Sequence, residues 1–264
     1  MGKGSTMVVC ALLAGGCLFT VPLATPAVAA STGISHAPRI GLKPNRSTTA
    51  SGYGWSSSNW SGYALSGNAG EYNIITGSWI VPTVQPSRGS TYSSSWIGID
   101  GFNNSDLIQT GTEQDYYSGS THYDAWWEIL PASETVISNM TVKPGDHMSA
   151  SIKNDGNGDW TITINDLTEN ESFTTTQAYS GPAASAEWIQ EAPTIGGHVA
   201  TLAKYGQTMF NPGTVNGSNP NFVIGNGGVM VQKQKQVSTP SAPDSDTDGF
   251  NVAYGSTAPA APTS

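Results

Sequence analysis

The stretch SAEWIQEAP, residues 185–193, places Glu187 and Glu191 four residues apart in a chain in which only 11% of residues are charged. A glutamate can take a proton from a water and hand it to a leaving group when its pKa lies near the working pH. The unperturbed side chain titrates at about 4.3, so chemistry in acid needs little tuning. With a second carboxylate such a residue can cleave a glycoside. With an amide donor it can hydrolyse a peptide, the amide N–H stabilising the oxyanion. Other classes have little support. Cys10 and Cys17 both fall in the first 30 residues, and neither Gly-x-Ser-x-Gly nor His-Glu-x-x-His occurs. His36, His122, His147 and His198 lack metal-ligand spacing and read as surface or strand residues. Asp244, Asp246, Asp248 and Gly249 match the first half of a calcium loop, but Gly255 stands where the bidentate glutamate belongs. That stretch reads as an acidic turn before a last strand, FNVAY. No metal or cofactor is expected.

Strands must position these groups. Short alternating runs such as EYNIITGSWIVP, SSSWIGIDG, DLIQTGTEQDYY, HYDAWWEILP, TVISNMTV, HMSASIKN, DWTITIND and SFTTTQAY follow one another, separated by turn clusters. DGNGD between two of them is a hairpin signal. No helix longer than two turns is expected. The pattern predicts an all-β fold, a β-sandwich of two antiparallel sheets. Alternation puts Trp96, Gly98 and Asp100 on one face, Asp124, Trp126 and Glu128 on another, Gln109 with Leu107 and Gly111, and Glu187 with Ile189 and Glu191. Faces that combine acids or amides with tryptophans read as the lining of a cleft for an extended polymer, peptide or glycan. Alternation does not choose between Glu187 and Glu191.

The chain ends carry their own signals. Lys3, an apolar run and Ala27-Val28-Ala29 make residues 1–29 a secretory signal peptide, so the protein is expected outside the cell, without cysteine after processing. Residues 30–52 hold Arg39, Lys43 and Arg46 and no acid, whereas the region from 53 onward sets six basic residues against all 19 acids, a net charge of −13. Residues 30–52 are a basic linker or a propeptide that covers an acidic cleft and leaves it on acidification. Residues 53–256 form the β-sandwich domain, and 257–264 a flexible tail. The acidity argues against nucleic acid, and no long apolar run after residue 30 argues for a membrane span. A monomer is the default. Asn59, in one of several glycosylation sequons, is too enclosed beside Trp60 for a sugar.

SNWSGY (58–63), SSWIGIDG (94–101), LIQTGT (107–112), YDAWWEILP (123–131) and AEWIQEAP (186–193), in this order, closely resemble the eqolisins, the glutamic peptidases. The resemblance covers about residues 55–255. It implies a two-sheet β-sandwich and a secreted, metal-free, acid-acting endopeptidase made as a precursor, with polypeptide substrates and intramolecular inhibition by the propeptide. Carried over by motif, it makes Gln109 and Glu191 the catalytic pair, with Trp60, Trp96, Asp100, Trp126 and Glu128 lining or supporting the cleft. Thr112-Glu113 and Ala192-Pro193 depart from the fungal pattern, and the missing disulfides point to a bacterial member. The alternatives are a secreted glycan-binding module, or a glycosidase using Glu187 or Glu191 with Glu128.

Overall fold

The computed structural model describes residues 1–2, 33–42 and 52–264. The expected signal peptide, apart from its first two residues, lies outside the described residues, as do the remaining parts of the 30–52 segment. In chain order the strands are β1 (Ile34–Ser35), β2 (Trp55–Ser57), β3 (Trp60–Ser66), β4 (Ile74–Ile80), β5 (Ser94–Ile99), β6 (Ile108–Tyr117), β7 (Ser120–Ile129), β8 (Thr135–Val136), β9 (His147–Gly156), β10 (Asp159–Asp166), β11 (Glu171–Ala178), β12 (Ser185–Glu191), β13 (Thr194–Ile195), β14 (His198–Val199), β15 (Gln207–Val215), β16 (Gly227–Gln232), β17 (Lys235–Pro240) and β18 (Phe250–Tyr254). Among the described residues the helical element is a single 3₁₀ turn at Ile224–Asn226. The fold is all-β, as the alternation predicts.

A continuous hydrogen-bonded path runs β11-β10-β9-β4-β15-β18-β17-β16-β3-β12-β5-β6-β7-β8. It folds back so that β4 and β9 pack on β5, β9 and β10 on β6, and β15 on β12. These two layers are the sandwich. Between them lies one core that includes Trp79, Trp188, Phe210, Phe222, Phe250, Ile97 and Ile162. In β4 and β10 every second residue is buried, the signature of a strand with one face on a core. The β9–β10 turn uses Asn157 and Gly158, both at positive φ, as a two-residue hairpin with a right-handed twist requires. TVISNMTV departs from the expectation of a full strand. Only Thr135 and Val136 pair, and the chain then turns, with the Met140 N–H donating to the Ile137 carbonyl.

In β5 and β12 every residue is buried, so both faces are covered. One face meets the core. The other carries a second apolar cluster, Trp60, Trp96, Leu107, Trp126 and Ile189. Residues 33–42 lie over that face. β1 pairs with β13, the Arg39 N–H donates to the Gly101 carbonyl, and the Leu42 N–H to the Ser56 carbonyl.

Candidate active site

Four strands, β12, β5, β6 and β7, lie side by side in antiparallel register. Because side chains alternate, register sets their shared face out in rows. One row reads Glu191, Ser94, Glu113, Asp124. The next reads Ile189, Trp96, Gly111, Trp126. The third reads Glu187, Gly98, Gln109, Glu128. Trp60 on β3 extends the first row beyond Glu191. Gly111 is what lets two indoles sit on either side of it within the middle row: a Cβ there would lie 2.4 Å from the Trp96 Cβ and 2.3 Å from the Ser95 carbonyl oxygen.

Gln109, Glu191, Trp60, Trp96, Trp126 and Glu128 are thus brought to one face. Gln109 Nε2 donates to Glu128 Oε2 at 2.7 Å, and Trp96 Nε1 to Glu191 Oε2 at 2.8 Å. Trp126 Nε1 donates to Ser94 Oγ at 3.1 Å. Gln109 Oε1 and Glu191 Oε1 are buried acceptors with no donor among the described residues. Asp100 is not brought to this group. It sits just past the end of β5, where it accepts from Tyr179 Oη at 2.6 Å and from the Ala183 and Ala184 N–H groups at 2.8 Å each. Its contacts brace the 179–184 loop. Glu187 is buried in the row of Gln109, with no hydrogen-bond donor on either oxygen among the described residues.

Sequence reasoning missed His36, read as a surface or strand residue. It is fully buried in the middle of this face. Its ring lies flat on Trp126, centroids 3.6 Å apart and planes 7° from parallel. Nδ1 is 3.0 Å from Glu191 Oε2, and Nε2 is 3.1 Å from both Glu113 Oε1 and Glu134 Oε2. The main chain is held too. The His36 N–H donates to Glu128 Oε2 at 3.0 Å, and Gln109 Nε2 donates to the His36 carbonyl at 3.4 Å. The Ala37 carbonyl accepts from Trp60 Nε1 at 3.1 Å and from Asn59 Nδ2 at 3.3 Å, and Asn59 Oδ1 takes the Ile40 N–H. Asn59 is fully buried, as expected of a side chain with no room for a sugar. The available signal for His36 was its setting: a basic, acid-free segment ahead of a strongly acidic domain.

Burial dominates the titration of the cluster. It pushes Glu128 up to about 8 and Glu113 up to about 7, the nearby Glu134 charge adding to both and His36 opposing. Burial and Glu134 push Asp124 up to about 6. Burial also raises Glu187, with the Ser185 hydroxyl and the Arg39 charge opposing and Asp100 adding to it. For His36, burial alone acts downward, but hydrogen bonds to Glu113, Glu134 and Glu191 outweigh it, and the pKa rises well above 6.5. A seated imidazole therefore holds its proton more tightly than a free one. Taken alone, the protonation of His36 favours the seated segment. Protonation of the carboxylates that face the imidazolium opposes this, and burial has already raised one of them, Glu113, to about 7.

Among the described residues, two groups of side chains bring potential cation ligands within 4.8 Å of one another: His36 with Glu113 and Glu134, and Asp244 with Asp246 and Asp248. In the first, the imidazole already fills the space between the carboxylates. In the second, Asp244 accepts from the N–H groups of Asp248 and Gly249 and from Asn211 Nδ2, which makes the expected acidic turn ahead of β18.

The peptidase A4 family model matches residues 58–254. Aspergillopepsin-2 of Aspergillus niger is 31% identical over 180 residues, 58% of this chain and 62% of that protein. Scytalidopepsin B of Scytalidium lignicola is 30% identical over 139 residues, 51% of each. The chain thus spans between half and two thirds of these relatives. Among solved structures, scytalido-glutamic peptidase with a transition state analog inhibitor superposes with a TM-score of 0.64 at 21% identity, over 75% of this chain and 98% of the other. Aspergilloglutamic peptidase from Aspergillus niger gives 0.52 at 25% identity, over 62% and 99%. With the family model spanning the strands that carry all three rows, the chain belongs to the peptidase A4 family.

Proposed function

We propose that the chain is a secreted, acid-acting endopeptidase whose 53–256 domain hydrolyses peptide bonds with Gln109 and Glu191, and that residues 30–52 are an inhibitory propeptide. One observation carries the reading. A stretch of polypeptide lies across the site with its N–H on Glu128, its carbonyl on Gln109 and its side chain on Glu191. A site that grips a main chain from both sides recognises peptides. This favours a peptidase over a glycan-binding module or a glycosidase. Membership of the peptidase A4 family and similarity to proteins named as glutamic peptidases support the same activity.

The geometry supports the following steps. A water donates to Glu191 Oε1 and Gln109 Oε1, the two acceptors lacking other donors among the described residues. Ionised Glu191 takes a proton as the water attacks the carbonyl carbon held near Gln109 Nε2. The amide N–H stabilises the oxyanion, its long 3.4 Å contact shortening as charge develops. Glu191 then returns the proton to the leaving amine, and the bond breaks. Glu128 accepts from Gln109 Nε2 and so fixes which end of the amide faces the carbonyl. Trp96 holds Glu191 through Oε2, leaving Oε1 for the water. Trp60, Trp96 and Trp126 wall off bulk solvent. While residues 33–42 are seated, no substrate can enter.

Hydrolysis of a denatured protein by Gln109→Ala tests the oxyanion role. Turnover should fall about 10²–10³-fold, as for loss of one oxyanion donor. Retention of most of the activity in a folded variant would remove Gln109 from the mechanism.

A further inference from the structure

The seated segment also identifies what the site selects. On the reading of Gln109 and Glu191 as the catalytic pair, the residue whose carbonyl faces Gln109 stands on the acyl side of the bond to be cut. Here that residue is His36. Its side chain fills the pocket that the corresponding substrate residue must enter.

The walls of that pocket are one flat aromatic surface and several acceptors. Trp126 stacks on the ring. Glu113 and Glu134 converge on Nε2, and Glu191 meets Nδ1. Glu113 is 1% exposed, and among the described residues the His36 imidazole is its one cationic partner, with the buried Asp115 carboxyl beside it. Asp124, the register neighbour of Glu113, adds a half-buried carboxylate whose Oδ1 is buried and unpartnered among the described residues. Carboxylates at both ends of the ring call for N–H donors at both nitrogens, the imidazolium form. An apolar side chain here would strand buried acceptors, which costs more than its own desolvation returns. A flat cation satisfies the acceptors and stacks on the indole.

We propose that Trp126, Glu113 and Glu134 form the acyl-side specificity subsite, and that it selects substrates with a positively charged residue before the scissile bond, imidazolium foremost. Glu113 and Glu134 are specificity residues: they read the side chain beside the reacting carbonyl, and Glu191 supplies both the chemistry and a third acceptor.

The test uses the full chain, preincubated in acid, and a set of peptides identical except for His, Lys, Gln or Leu before the scissile bond, with product masses locating the cut. At a pH where free histidine is protonated, the His peptide should show kcat/KM at least about tenfold above the Gln peptide. Glu113→Gln and Glu134→Gln should each shrink that ratio severalfold. Equal kcat/KM across the four peptides, or a ratio that survives both substitutions, overturns the proposal. The wild-type profile alone decides the matter if either variant fails to fold. Glu191→Gln separates the two levels. If that variant still cuts the peptides, the catalytic reading fails. If it is inert while the wild type cuts without charge preference, only the subsite assignment fails. No hydrolysis of any peptide by the wild type overturns both.

Discussion

His36 Nδ1 lies 3.0 Å from Glu191 Oε2, so the residue assigned to activate water is paired with an imidazole from its own N-terminal segment. The contact joins the two regions of opposite charge evident in the sequence, and it turns the segment's general basicity into one specific bond.

That bond makes His36 the anchor of the segment proposed to be inhibitory. In the full chain, His36→Ala removes the stacking on Trp126 and three carboxylate contacts at once. The variant should hydrolyse a denatured protein at least about tenfold faster than the wild type when both are assayed without acid preincubation. Equal rates would mean that the segment is held by its backbone contacts alone.

The raised pKa of His36 has a defined sign. A histidine whose folded pKa exceeds its unfolded value contributes stability that is fully present below about pH 6.5 and lost as pH rises through the folded value. The melting temperature of the wild type should therefore exceed that of His36→Gln at pH 6, and the gap should close at alkaline pH. The NMR titration of this imidazole should give a midpoint above 6.5. A midpoint at or below that of free histidine would contradict the cluster as described.

Asp100 offers a contrast between support and chemistry. Asp100→Ala leaves the Ala183 and Ala184 N–H groups and the Tyr179 hydroxyl without their acceptor. The Ala183 N–H is fully buried, the Ala184 N–H partly so, and the Tyr179 hydroxyl keeps only a long 3.5 Å contact to the Ile99 carbonyl; a buried donor left unpaired costs about 1–3 kcal/mol. The variant should melt well below the wild type, while the pH dependence of kcat in the folded enzyme keeps its midpoints. A displaced acidic midpoint would bring Asp100 back into contact with the catalytic pair.

Gly111 tests the close packing behind the motif. In Gly111→Ala the new methyl meets the Ser95 carbonyl and the Trp96 side chain at distances no real Cβ tolerates. Overpacking of this kind costs about 1–3 kcal/mol, read as a lower thermal midpoint, and displacement of Trp96 should also lower turnover by loosening Glu191. Wild-type stability would show that β5 and β6 shift freely.

The legible part of the fold was the part with clean alternation. EYNIITGSWIVP, HMSASIKN and DWTITIND each show a period of two, and Asn157-Gly158 supplies a turn that only positive φ allows. β15, β16 and β17 were not named from sequence. QTMFNPGTV contains Pro212, which argues against a strand until register is known. In the structure Pro212 falls within the register shift between Phe210 and Gly213, where a missing N–H does little harm. At the site, alternation placed Gln109, Trp126, Glu128 and both glutamates on the right faces, because local geometry sets a face. It could not place Asp100, whose positive φ of 72° turns the chain away after β5. Nor could it bring His36 to Glu191 across a separation of 155 residues. Long-range contacts of that kind depend on charge and register summed over the whole fold.

The central claim is that Glu191, rather than its strand neighbour Glu187, activates the water. Wild type, Glu191→Gln and Glu187→Gln should be purified as full chains, preincubated in acid and assayed for hydrolysis of a denatured protein between pH 2 and 7. Glu191 hydrogen-bonds the imidazole of the segment that occupies the site, whereas Glu187 meets that segment only through the charge of Arg39 among the described residues. The account predicts acid activity in the wild type, measurable activity in Glu187→Gln, and loss to background in a folded Glu191→Gln. Wild-type rates in Glu191→Gln, with loss in Glu187→Gln, would contradict it and move the chemistry to the other carboxylate.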